Sequence, residues 1–263
     1  MDLGLQDRVA IVTGGSDGIG KATALRLAKE GARVAICARR QEVLETTAQE
    51  IRVGSGQEIF PVVTDIGNVD DIKNLVKEVV KRWNRVDILV NNAGTSAAGS
   101  FETVSDEAWM TDLNVKLFGA IRCIREVLPF MKQQHWGRII NVTNLGAKAP
   151  GARSVPTSVS RAAGVALTKA LSKEYAADNI LVNTVLIGLI KAGQHELRLA
   201  NAQKKDSQVT LEEFYGQMGE SIPLGRVGES SEAADVISFL VSERASYLTG
   251  VAVNIDGGTS PVV

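Results

Sequence analysis

A chain of 263 residues with 44% hydrophobic and 22% charged side chains carries enough apolar material to bury a large core. Lys plus Arg number 29 against 30 Asp plus Glu, so the basic footprint of a nucleic-acid or anionic-membrane binder is missing. Cys37 and Cys123 lie far apart in apolar stretches and match no metal or redox spacing, so buried reduced thiols and no metal site are expected.

In chain order, residues 1–7 lack the basic region and apolar core of a signal segment, so the cytoplasm is expected. An apolar strand is predicted at 8–12. Thr13-Gly14-Gly15-Ser16-Asp17-Gly18-Ile19-Gly20 follows it and opens a helix. Glycine at 14, 18 and 20 lets backbone N–H groups approach a pyrophosphate that a Cβ would block, and the helix start adds its positive end. The spacing is G-x-x-x-G-x-G, and a tight strand-to-helix turn is the plain alternative; the strand–turn–helix context favours dinucleotide binding. Further strands are predicted at 33–37, 58–63, 86–90, 137–142, 180–186 and 251–255. Between them, Ala24, Leu25, Leu27 and Ala28, and then Ile72, Leu75, Val76, Val79 and Val80, repeat at helical spacing. Strands alternating with helices predict an α/β fold, a Rossmann-like, doubly wound, seven-stranded parallel sheet with helices on both faces. The most apolar run, 180–190, is broken by Asn183, Thr184 and Gly188 and is too short to span a bilayer. Residues 1–263 are read as one domain. The strand-free stretch 188–223, with helical patterns at 194–203 and 211–218, is read as a substrate lid.

Several ordered motifs resemble the short-chain dehydrogenase/reductase family over essentially the whole chain. They are Thr13–Gly20, Asp65-Ile66, Asn91-Asn92-Ala93-Gly94, Asn114 in the following long helix, and Val253-Asn254-Ile255-Asp256-Gly257-Gly258. The resemblance implies a cofactor site made by Gly14, Ser16, Asp17, Gly18, Ile19, Gly20, Arg39, Arg40, Asp65, Ile66, Asn92, Ala93, Gly94, Arg161, Ile187 and Gly188. Ile36-Cys37-Ala38-Arg39-Arg40 ends the second strand with no acid for a ribose hydroxyl. Its two guanidinium groups suit a 2′-phosphate, so NADP(H) is expected over NAD(H). The alternative is that both arginines only solvate the next helix.

The family's catalytic serine, tyrosine and lysine fall, by that resemblance, on Asn144, Thr157 and Arg161, with Asn114 as the fourth site position. The proline-glycine that usually follows the sixth strand becomes Ile187-Gly188, and the threonine after it Lys191. Asn144 can still donate a hydrogen bond, and Arg161 keeps its charge to clamp a ribose. Thr157 has no phenol to tune, so an ordinary proton transfer is lost, about 10²–10⁴-fold in rate for plain ketones. Iminium ions, quinones and conjugated acceptors escape that loss. Lys148, Lys191, His195 and Tyr215 are candidate replacement acids, each with a solvated or packing role as the alternative. His135 faces the wrong end of the sheet.

An NADP(H)-dependent oxidoreductase acting on a small organic substrate is the leading expectation. The alternatives are a catalytically silent NADP(H)-binding regulatory or scaffold protein, and a non-redox elimination or isomerisation in the same pocket. Phe101, Trp109, Leu197, Phe214, Tyr215 and Met218 suggest an apolar substrate, or else core or subunit contacts. Helices at 106–133 and 158–177 resemble those that pair subunits in the family, and Leu113, Leu117, Ile121, Ile124, Val127 and Leu128 make the first unusually apolar. A homodimer or homotetramer is expected, with no nucleic-acid or membrane partner.

Overall fold

The computed structural model describes residues 1–192, 199, 203 and 210–263. Among them, seven strands form one sheet: β1 (Val9–Thr13), β2 (Arg33–Ala38), β3 (Ile59–Val63), β4 (Ile88–Asn91), β5 (Gly137–Asn144), β6 (Ile180–Ile187) and β7 (Ala252–Ile255). Each lies within two residues of its predicted ends. All neighbours pair in parallel, in the order β3-β2-β1-β4-β5-β6-β7.

The inner strands are buried on both faces, so side chains alternate between two cores. Ala10, Val12, Val34 and Ile36 pack on one face with α1 (Gly18–Lys29), α2 (Gln41–Ser55) and α8 (Ser230–Leu240). Val9, Ile11, Ala35 and Cys37 face the other side, against α3 (Val69–Trp83) and α5 (Gly119–Gln133), with Leu167 and Leu171 of α6 (Thr157–Glu174) at its margin. Local chemistry sets the helix starts. Asn68 accepts from the N–H groups of Asp70 and Asp71 at the head of α3, and Asp17 accepts from Gly18 N at the head of α1.

Two predicted helices are modified. The stretch 106–133 divides into α4 (Asp106–Leu113) and α5, joined by a wide π turn over Asn114–Phe118. The stretch 158–177 ends as helix at Glu174 and continues as a 3₁₀ turn, Ala176–Asp178. In the 188–223 segment, α7 (Leu211–Gly219) matches the second helical pattern. The first, at 194–203, falls outside the described residues except for 199 and 203. No helix among the described residues is long and apolar enough to cross a membrane.

Opposite the carboxyl ends of the strands, Asp87 is fully buried and gathers charge. It accepts from Val9 N (2.8 Å), Arg85 Nε (2.8 Å), Arg85 Nη2 (2.6 Å) and Arg8 Nη1 (3.3 Å). Arg8 and Arg138 both lie over the Trp136 ring, 3.7 and 4.2 Å from its centre. Removing the Asp87 carboxylate leaves guanidinium groups and an amide without their acceptor. We expect Asp87→Ala to lower stability by about 3–5 kcal/mol in urea unfolding, with Arg85→Ala, half-exposed at that site, costing far less. Equal losses for the two variants overturn this.

Candidate active site

The sheet winds outward from β1 through β2 to β3, then returns to place β4 on the other side of β1. The loops after β1 and β4 therefore diverge and leave a crevice at the carboxyl ends of the strands. Thr13 closes its floor. Its hydroxyl donates to Val90 O (3.3 Å) and accepts from Asn92 N and Ala93 N (both 3.0 Å). Asn92 returns the bond through Nδ2 to Thr13 O (3.0 Å) and Gly14 O (3.1 Å). Gly14 adopts φ +63°, and a Cβ there would lie 3.0 Å from Ala93 Cα. At Gly20 a Cβ would stand 2.2 Å from Gly14 O, so α1 starts directly against the turn.

The crevice opens as a cleft of about 740 Å³. Of the predicted cofactor residues, Gly14, Ser16, Asp17, Gly18, Ile19, Arg39, Arg40, Asp65, Ile66, Asn92, Ala93 and Gly94 line it together. Gly20, Arg161, Ile187 and Gly188 do not. Gly20 supports the turn from behind, and Gly188 packs on Asp256, where a Cβ would be 2.8 Å from its Cα. Arg39 and Arg40 are exposed on the cleft wall and form no ion pair among the described residues. Cys37 lies at the base of the cleft, and burial pushes its thiol up to about 12, which keeps it protonated and unreactive.

A second group of polar side chains sits at the inner end. Lys116, in the π turn, makes a buried ion pair with Asp112 of α4 and donates to Thr157 Oγ1 (2.9 Å). Thr157 Oγ1 also accepts from Ala97 N (2.9 Å). Ser160 Oγ donates to Asp112 Oδ2 (2.6 Å). Arg161 turns inward and gives Nη1 to Val142 O (2.7 Å). It lines, with Lys116, a small inner cavity of about 20 Å³ rather than the open cleft. Burial lowers the Lys116 ammonium from its usual range, against the pull of Asp112 and with Arg161 adding to the fall. Burial brings the Arg161 guanidinium down to about 10, opposed by Asp112.

The predicted catalytic residues are only partly assembled. Thr157 and Arg161 join this group; Asn144 lies at the end of β5 with Oδ1 buried and no partner among the described residues. Asn114 points elsewhere, because Gly67 O takes its amide NH₂ (3.0 Å) and Arg122 donates to its Oδ1 (2.7 Å). Lys116, two residues on, is the side chain the π turn delivers. Its signal in the sequence is a lone lysine within the apolar run 115–118, with an acid four residues earlier. Lys148 does not face the cleft: β7 captures it through Ala252 O (2.9 Å) and Asn254 Oδ1 (3.2 Å). Lys191 is held by Glu229 and lies over the Tyr215 ring, while His135 sits at the start of β5, away from the cleft. His195 and Leu197 lie outside the described residues. Phe101, Trp109, Phe214, Tyr215 and Met218 line neither cavity.

Thr13 is the keystone of this floor. Thr13→Val leaves two loop amides and a carbonyl unpaired, so we expect a loss of about 1–3 kcal/mol in denaturant unfolding. Thr13→Ser, which keeps the hydroxyl, is expected to recover most of it; a serine variant as weak as valine overturns the assignment.

The family described as short chain dehydrogenase matches residues 8–202. A 3-oxoacyl-(acyl-carrier-protein) reductase of Staphylococcus epidermidis is 34% identical over 253 residues, covering 96% of this chain and 98% of the relative. L-Sorbose reductase from Gluconobacter frateurii, solved with NADPH and L-sorbose, has a TM-score of 0.95 at 31% identity, covering 100% of both chains. An NADPH-bound short chain oxidoreductase from Pseudomonas aeruginosa PAO1, described as containing an atypical catalytic center, has a TM-score of 0.90 at 34% identity, covering 98% of this chain and 100% of that one.

Proposed function

The chain belongs to the short chain dehydrogenase family, and from that membership and the cleft we propose an NADP(H)-dependent oxidoreductase acting on the carbonyl or alcohol of a small organic molecule. The observation that carries the cofactor choice is the pair Arg39 and Arg40, exposed on the cleft wall without ion-pair partners among the described residues. Two guanidinium groups there match a 2′-phosphate and give a ribose hydroxyl no carboxylate. The remaining lining fits a dinucleotide. The glycine turn presents backbone N–H groups and the α1 start for a pyrophosphate, Asp65 offers an acceptor for the adenine edge, and Asn92 fixes the loop opposite. Asn144 Oδ1 at the end of β5 and Arg161 Nε beside the inner cavity are buried without partners among the described residues, which leaves polar capacity for a ligand. A bound nicotinamide supplies or accepts hydride; this chain's residues bind it, exclude water and handle the proton.

The names of two relatives, a 3-oxoacyl-(acyl-carrier-protein) reductase and an L-sorbose reductase, support testing carbonyl compounds first. Calorimetry is expected to show NADPH binding more tightly than NADH. Replacing Arg39 and Arg40 together by Ala is expected to cost NADPH about 1.5–3 kcal/mol, with little change for NADH. Equal affinities in the unmodified protein overturn the cofactor assignment.

The same reading includes assembly. Leu113, Leu117, Ile121 and Leu128 are only half-buried, and Met110, Phe118 and Val159 are exposed at 64%, 44% and 45%. That apolar strip over α4, α5 and α6 is more than an isolated chain leaves in water without use. We expect a homodimer or homotetramer by light scattering at micromolar concentration; a monomer overturns it.

A further inference from the structure

We propose that Lys116 is the group that gives the proton to the substrate oxygen, and that Thr157 and Asp112 are positioning residues that hold its ammonium in place. The inference rests on the oxidoreductase reading and adds to it a proton donor in place of the missing phenol.

Connectivity carries the argument. A lysine ammonium has three N–H donors and no acceptor. One goes to Asp112 and one to Thr157 Oγ1 at 2.9 Å, and the third has no acceptor among the described residues. Lys116 lines the open cleft beside Gly94 and Ala97, whereas Thr157 does not. Thr157 Oγ1 receives two hydrogen bonds, from Lys116 Nζ and from Ala97 N, so it serves as an acceptor in this network. An aliphatic hydroxyl also loses its proton far too reluctantly to be a useful acid near neutral pH. Asp112 cannot swing away, because Ser160 Oγ binds its second oxygen at 2.6 Å. The ammonium is thus fixed on two sides, and its remaining N–H is the one the proposal assigns to the substrate oxygen.

The step balances as follows. As a carbonyl carbon gains hydride from a reduced nicotinamide, its oxygen gains a proton from Lys116 Nζ. The N–H bond breaks, an O–H bond forms, and Lys116 is left as a neutral amine that regains a proton from water entering the cleft. The charged groups that face Lys116 are Asp112 from α4 and Arg161 from α6. Burial and Arg161 favour the neutral amine and Asp112 favours the ammonium, with the net direction downward, toward the range where an acid can release its proton. Reduction needs the ammonium. Its rate therefore holds at low pH and falls as pH rises through the Lys116 value, earlier than for a solvated lysine.

The test uses the full chain with NADPH and two ketone probes, an acetoacetyl thioester and L-sorbose. Lys116→Met is expected to lower kcat by about 10²–10⁴-fold. Lys116→Arg keeps the charge but cannot release a proton, so it is expected to stay equally slow. Thr157→Val is expected to lose less than Lys116→Met and to move the falling limb of the pH profile to lower pH, since an acceptor for the ammonium is gone. If Lys116→Met does not fold with Asp112 left unpaired, the double variant Asp112→Asn/Lys116→Met removes both charges and is expected to show the same loss.

A second readout needs no cofactor. In lysine-labelled protein, the Nζ resonance missing from Lys116→Met is expected to titrate below the other lysines, and lower still in Asp112→Asn. A Lys116→Met or Lys116→Arg variant as fast as wild type overturns the proposal. So does a Thr157→Val variant slower than Lys116→Met, or a Lys116 resonance that titrates with the surface lysines. Wild-type protein that oxidises NADPH with neither ketones nor quinones counts against the oxidoreductase reading instead, and the titration then decides for Lys116.

Discussion

The site depends on the reversal of winding between β1 and β4. Two parallel strands whose connections leave in opposite directions expose the backbone of both loops, and those amides and carbonyls have no ladder partner. Thr13 and Asn92 satisfy them by exchanging side-chain bonds across the gap. Because these bonds are short-range and saturated, the glycine turn and the loop through Gly94 are held at a fixed separation. The cleft is what remains between them, and its position follows from the sheet order rather than from any later element.

Inside that frame the electrostatics divide into two zones. At the mouth, Arg39 and Arg40 are exposed, with no counterion among the described residues. At the inner end, Asp112 and Lys116 are nearly dry, with side chains 1% and 3% exposed. A buried ion pair gains little net stability after desolvation, and it persists only when its remaining hydrogen-bonding capacity is filled. Ser160 and Thr157 do most of that filling here. Arg161 adds a third, half-buried charge, drawn inward by Val142 O. Keeping three such groups together costs stability, which is the pattern of a site shaped for chemistry more than for packing.

The strands were legible because both faces of a parallel sheet are buried, so each appears as an unbroken apolar run. The start of α1 was legible from the glycine turn that opens it. The glycine turn and the Asn-Asn-Ala-Gly loop that wall the cleft were equally open to reading, since these segments act locally. The inner site was less so. Asn114 was singled out by resemblance, but its amide is used up by Gly67 and Arg122, and Lys116 takes the inward position through a wide turn that no 3.6-residue period announces. Lys148 looked available because it follows β5; its acceptor, Ala252, lies 104 residues further on. Partners that distant leave no mark on the sequence around a residue. Ile187 and Gly188 follow the same logic, for they serve the β6–β7 edge rather than the cleft.

The wide turn over Asn114–Phe118 also bears on how such a site can change over time. A helix makes a π turn when it accommodates one surplus residue while packing keeps both flanks in place. Here α4 is tied through Asp112 to Ser160, and Gly119 of α5 fits so closely on Ile66 that a Cβ would lie 2.3 Å from its Cγ2. With the flanks pinned, losing one residue from this turn restores a plain helix and carries Lys116 about 100° around the axis, out of reach of Thr157. The identity of the group at the inner end of the cleft is therefore governed by an insertion or deletion as much as by substitution. Chain length within a single helical turn thus sets which side chain stands beside Thr157 while leaving the sheet and the cleft untouched.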